Sequence, residues 1–144
     1  MRYSPWADAA ERHPDVHIER CDIAPARGVW VAEEKVILLD SHLDVAGRRC
    51  TLAHELAHID LGHRPAHGWF GRRQEAEADR LASARLLSDV ERIAEAFAVY
   101  PLDLAAVADY LAVSVPVLRR RLHALTHDEK LAIERRLARL DLAC

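Results

Sequence analysis

Leu52-Ala53-His54-Glu55-Leu56-Ala57-His58-Ile59 is the stretch from which the rest of the chain can be read. Leu52, Leu56 and Ile59 recur at spacings of four and three, an apolar stripe along one side of an α-helix. His54 and His58, four residues apart, stand one above the other on a neighbouring face and can offer two imidazole nitrogens to one ion. Glu55 lies about 100° further round the helix, near enough to act on a water at that ion without being aimed at it. Ala53 and Ala57 favour helix and are small enough for close approach by another element. Gly62 falls where a left-handed helix stop is expected.

Two histidines do not complete a catalytic metal site, which usually takes three protein ligands and keeps one position for water. The pattern H-E-x-x-H-x-x-G-x-x-H is excluded, because Leu61 and Arg64 stand where its glycine and third histidine belong. The run Glu75-Ala76-Glu77-Ala78-Asp79 opens a second helical stretch with apolar spacing through Ala82, Leu86 and Leu87. Glu75 and Asp79 share a face of it, so Glu75 is the expected third ligand and Asp79 the acceptor for the free ring N–H of a ligating histidine. Glu77 points away from Glu75 on that helix and is expected in solvent; it is the alternative ligand if the helix starts later. Zinc is the metal that suits two imidazoles and a carboxylate with an open fourth position.

The chain resembles the ImmA/IrrE metallopeptidases, which carry H-E-L-x-H on one helix and E-x-E-A-[ND]-x-[FL]-A on the next. The residues that match are Thr51–Ile59 and Glu75–Ala82, with weaker likeness in the Gly28–Asp40 hairpin and at Val113-Ser114. Leu81 stands where an aromatic is common, and Ser88 follows Leu87 where proline or Met-Pro is usual. The resemblance implies a zinc endopeptidase whose substrate is a helix-turn-helix repressor, cleaved to derepress stress or mobile-element genes. In that reading His54, His58 and Glu75 hold zinc, and Glu55 takes the proton of the attacking water and delivers it to the leaving amine. His63, His67, Arg72 and Tyr100 are all candidates to steady the oxyanion.

Composition sets the frame. The 144 residues, 51% hydrophobic and 30% charged, suit one domain with a real core. A net charge of −3 implies no bulk attraction to nucleic acid or anionic membrane. No stretch is apolar enough for a membrane helix, and Met1–Trp6 does not read as a secretory signal, so a cytoplasmic protein is expected. Cys21, Cys50 and Cys144 are odd in number and far apart, which speaks for reduced cysteines, with Cys50 one helical turn before His54.

The expected fold is α+β: a mostly helical, zincin-like domain over 1–144, with a small N-terminal antiparallel sheet and catalytic helices in 1–100 and a helical, helix-turn-helix-like subdomain in 101–144. Ser4-Pro5 opens a helix to Arg12; Val16–Glu19 alternates as a strand; Val29–Val31 and Val36–Leu39 form a hairpin. Residues 64–71 read as a loop in which Trp69 and Phe70 fill core. Ser88–Glu91 and Thr126–Glu129 read as capping boxes. Residues 104–122 have helix-turn-helix spacing that ends in Arg119-Arg120-Arg121, which offers a DNA-binding regulator as one alternative function and a non-proteolytic zinc-binding anti-repressor as another; DNA binding is not favoured, given the charge.

Overall fold

The computed structural model describes residues 2–143, so Cys144 lies outside the described residues. Helix α1 (Pro5–Arg12) precedes strands β1 (His17–Cys21), β2 (Gly28–Val31) and β3 (Val36–Asp40). Then come α2 (Val45–Asp60), α3 (Gly68–Leu86), α4 (Val90–Val99), α5 (Leu104–Leu111), α6 (Val115–His123) and α7 (His127–Leu142). The α+β class holds.

The sheet corrects one expectation. Its order is β1-β3-β2, with β2 antiparallel to β3 as a hairpin but β1 parallel to β3, so it is mixed and not antiparallel. The reason lies in Val36-Ile37-Leu38-Leu39, an unbroken apolar run that suits the central position, where both edges are paired, Ile37 and Leu39 are buried and Val36 and Leu38 are half-buried. Residues 22–27 carry the chain past that position, and β3 then inserts between the two earlier strands.

Helix α2 divides the core. Leu52 and Leu56, fully buried, pack with Ile37 and Leu39 of the sheet and Ala9 of α1. Each such leucine contributes about 2 kcal/mol of hydrophobic burial. On its other side Cys50, Ala53 and Ala57 meet Ala78, Ala82 and Leu86 of α3 and the apolar side chains of α4, α5 and α6 in one continuous cluster. The third side carries His54 and His58. Asp44 caps the start of α2, accepting a hydrogen bond from the Gly47 amide at 2.7 Å. At the far end Gly62 takes φ +66, and His63 N–H closes back on the His58 carbonyl at 3.1 Å. That Schellman turn folds His63 over the end of its own helix. Asp60, unfavourable at a helix C-terminus, is held there by Arg12, His13 and Arg85, whose hydrogen bonds outweigh burial and bring its pKa down to about 2.

Helix α3 starts seven residues before Glu75, so the loop is shorter than the sequence implies and Glu75 sits in mid-helix. Trp69 and Phe70 are not core: they stack edge to face on each other and are 57% and 69% exposed. Asp89, not Ser88, caps α4, whereas the Thr126–Glu129 capping box of α7 is present in full. Ala112, at φ +55, ends α5, and Ser114 caps α6 two residues later. Among the described residues no helix is long and apolar enough to cross a membrane.

Two buried arginines knit these helices. Arg49, 4% exposed, donates to the carbonyls of Tyr3, Leu86, Leu111 and Ala112, thereby satisfying the ends of α3 and α5 and the N-terminal segment at once. Arg121, 5% exposed, donates to the Leu87 carbonyl at 2.9 Å and forks onto Glu129. Replacing Arg49 by Met is expected to cost about 2–4 kcal/mol in urea unfolding, because several buried carbonyls lose their donor together. The Arg121 hydrogen bonds lower the Glu129 pKa from 4.5 to about 2. A folded-state pKa below the unfolded one stabilises above the unfolded value and is lost as pH falls through the folded one. Glu129→Gln is therefore expected to lower the melting temperature at neutral pH, with the difference from wild type shrinking below pH 4.5 and gone near pH 2.

Candidate metal centre

The helix spacing puts His54 and His58 on the rim of a cleft of about 610 Å³ whose walls are β2, α2, α3 and the start of α6. Because α3 packs on α2 through alanines, Glu75 reaches across to both rings. Its carboxylate oxygens lie 3.0 Å from His54 Nε2 and 3.2 Å from His58 Nε2, and the two Nε2 atoms are 3.0 Å apart. One ligand atom from each of these residues falls within 4.8 Å of the others, a spacing at which the three can hold a metal ion.

The backs of both imidazoles are anchored, and the anchors define which nitrogen is free. His54 Nδ1 is 2.9 Å from Asp79 Oδ1; an ionised carboxylate only accepts, so Nδ1 carries the proton and Nε2 keeps its lone pair. Asp79 stays ionised, its pKa lowered against burial by His54 and by Arg120, which bonds its other oxygen at 3.0 Å. Behind His58 the chain of contacts is longer. Glu77 Oε2 lies 3.1 Å from His63 Nε2, which fixes that proton and leaves His63 Nδ1 as acceptor. His58 Nδ1, 2.9 Å away, must then donate to it, and His58 Nε2 is free. Both Nε2 lone pairs thus face Glu75, the donor set and tautomers a metal ion requires. The residues fit the group.

Electrostatics agree with this division. Burial opposes charge on His54, but Asp79 and the nearby carboxylates outweigh it and raise its pKa, whereas burial and the neighbouring His54 lower that of His58. Glu55, 7% exposed, has its pKa raised to about 6, chiefly by burial and further by Glu75, with His54 and the Trp30 backbone opposing. It stands beneath the edge strand: a Cβ on Gly28 of β2 would come within 2.5 Å of Thr51 Cγ2 and 3.1 Å of Glu55 Oε1. Only glycine lets β2 pass this close.

The other sequence candidates fall elsewhere. Glu77 is not in solvent but holds His63 and Arg73. His63 backs His58. His67 and Arg72 line a neighbouring groove, and Tyr100 caps α4 beside Tyr110, away from the cleft walls. Cys50 lines the cleft yet is buried and does not join the converging ligand atoms; Cys21 and Cys50 are both unpaired thiols. Of the three consecutive arginines, Arg121 is buried and Arg120 faces Asp79. Arg120 was hidden in the sequence as one of a basic run; its position on the cleft wall follows only from how α6 packs on α3.

A helix bearing His-Glu-x-x-His opposite a second helix with a third ligand, beside a small sheet, is an arrangement of the metallopeptidase type. The chain belongs to the Peptidase_M78 family, that of the IrrE N-terminal-like domain, whose family model matches residues 10–123. Comparison with curated proteins gives no match. Titration with zinc against a chromogenic chelator separates the roles of these side chains. Glu75→Ala is expected to lose one-to-one binding, whereas His63→Ala and Glu77→Gln keep the stoichiometry and weaken affinity by about ten- to hundredfold.

Proposed function

We propose that the protein is a zinc-dependent endopeptidase of the cytoplasm that cuts a helix-turn-helix repressor and so relieves repression of stress or mobile-element genes. The observation that carries the reading is the convergence of His54, His58 and Glu75 on the cleft where buried Glu55 meets the free edge of β2. Membership of a peptidase family and the resemblance to repressor-cleaving metallopeptidases support it.

Zinc on His54, His58 and Glu75 would supply Lewis acidity, lowering the pKa of a water towards ~7 and polarising the scissile carbonyl. The chain's own groups do the rest. The outer edge of β2 has no strand beside it among the described residues, so an extended peptide can add there by backbone hydrogen bonds. That addition lays its backbone across the cleft above Glu55. The Glu55 carboxylate, with a pKa near 6, is basic enough to accept a proton from the attacking water at neutral pH and acidic enough to return it to the leaving amine. Asp79 and the His63–Glu77 pair keep the two imidazoles from turning during these transfers.

The test is incubation of the zinc-loaded protein with the helix-turn-helix repressor encoded beside its gene, followed by mass spectrometry of the products. One discrete cut is expected, slowed at least about a hundredfold in Glu55→Gln while zinc stoichiometry is kept. Intact repressor with stoichiometric zinc overturns peptidase action and leaves a protein that acts by contact. Undiminished cleavage by Glu55→Gln removes Glu55 as the base.

A further inference from the structure

Beyond Glu75 and Asp79 the cleft continues into a second groove between α3 and α6, walled by His67, Arg72, Ala76, Arg80, Arg120 and His123. The two cavities share Glu75, Asp79 and Arg120, so what lies in one can run on into the other. Their charges are unbalanced in a definite way. Each carboxylate on the walls is already engaged: Glu75 with the two histidines, Asp79 with His54 and Arg120, Glu55 buried under β2. Four of the five exposed arginines on those walls are not, Arg120 being the exception. Among the described residues, Arg72 and Arg80 in the groove, and Arg27 and Arg64 on the cleft rim, have no carboxylate within ion-pairing distance; Arg20, Arg119 and Arg135 are unpaired too, but these four are set apart by lining one continuous cavity. A chain whose net charge is −3 thus turns a cationic wall towards the place where substrate must lie.

We propose that this groove is a specificity site for an acidic segment of the peptide substrate, flanking the bond to be cut. The inference rests on the peptidase reading and adds to it the kind of sequence that is bound. Arg72 and Arg80 stand two turns apart on α3, roughly 12 Å along its axis, with Ala76 between them leaving the floor low. That distance spans about four residues of an extended peptide, so two carboxylates at such a spacing meet both guanidiniums, with Arg27 and Arg64 available to acidic residues on the other side of the cut. Arginine suits the task because its fork takes a carboxylate in two parallel hydrogen bonds. Nucleic acid fits less well: the groove opens onto Glu75 and Asp79, has no Phe, Tyr or Trp in its lining for a base to stack on, and has lost Arg121 to the interior.

Fluorescence anisotropy of labelled probes with the full-length protein tests this, at physiological ionic strength, with and without zinc. The probes are a glutamate-rich dodecapeptide, a lysine-rich one of equal length and a short DNA duplex. The glutamate peptide is expected to bind, the lysine peptide not, and the double variant Arg72→Glu/Arg80→Glu to weaken binding at least about tenfold. Both positions are exposed, so unchanged thermal unfolding of the variant is expected alongside. Equal affinity of variant and wild type, tighter binding of the duplex than of the glutamate peptide, or binding seen only with zinc present overturns the proposal. Anisotropy registers binding without turnover, so a failure here and a failure of repressor cleavage are separate results.

Discussion

Everything at the candidate metal centre depends on how closely α2 and α3 approach. Ala53 and Ala57 on one helix face Ala78 and Ala82 on the other, all at most 3% exposed. Histidine and glutamate are short side chains; they meet between two helices only when the backbones come together on methyl groups. Ligand distances at a metal tolerate about 0.2 Å, and a close-packed interior does not absorb an added methylene without displacement. The four alanines therefore set the geometry of the site as much as His54, His58 and Glu75 do. Their small size also explains why α2 shows no single polar side: large side chains face the sheet, small ones face α3, and the histidines take what is left.

Support for the site is divided between the two helices. Asp79 reaches His54 from α3, while His63 reaches His58 from the turn that ends α2. One imidazole is thus oriented by the neighbouring helix and the other by its own. Arg120 joins α6 to this arrangement through Asp79, and Arg49, one and a half turns before His54, fastens the same helix to the ends of α3 and α5. The buried arginines hold the frame, and the carboxylates hold the rings.

What could be read from the sequence was local. The helix over residues 52–59, its Gly62 stop, the Ser4 cap, the β2–β3 hairpin and the Thr126 capping box are all set within a few residues of chain, and each is found. Glu75 and Asp79 follow from helix periodicity, and the structure brings both to the histidines. The parallel pairing of β1 with β3 is a long-range choice between two edges of one strand, and no local signal records it. The exposure of Trp69 and Phe70 depends on where α3 begins, which Gly68 and Gly71 obscure. The place of Glu77 needed the Schellman turn that brings His63 to it. Arg49 did carry a signal: it continues the stripe of Leu52 and Leu56 one turn back, and a charge on a buried stripe calls for partners.

Among the described residues the mixed sheet has two open edges, and they are unlike. On β1 the exposed residues are His17, Glu19 and Arg20, so a passing strand would have to bury charge to join it. On β2 the strand is Gly-Val-Trp-Val, with Val29 exposed and no charge to repel a guest. An unguarded edge invites fibrils and self-association, yet this one ends against Glu55 and the histidine rim. The fold closes the side on which strand addition would be mere aggregation and leaves accessible the side on which an added strand arrives at His54, His58 and Glu75.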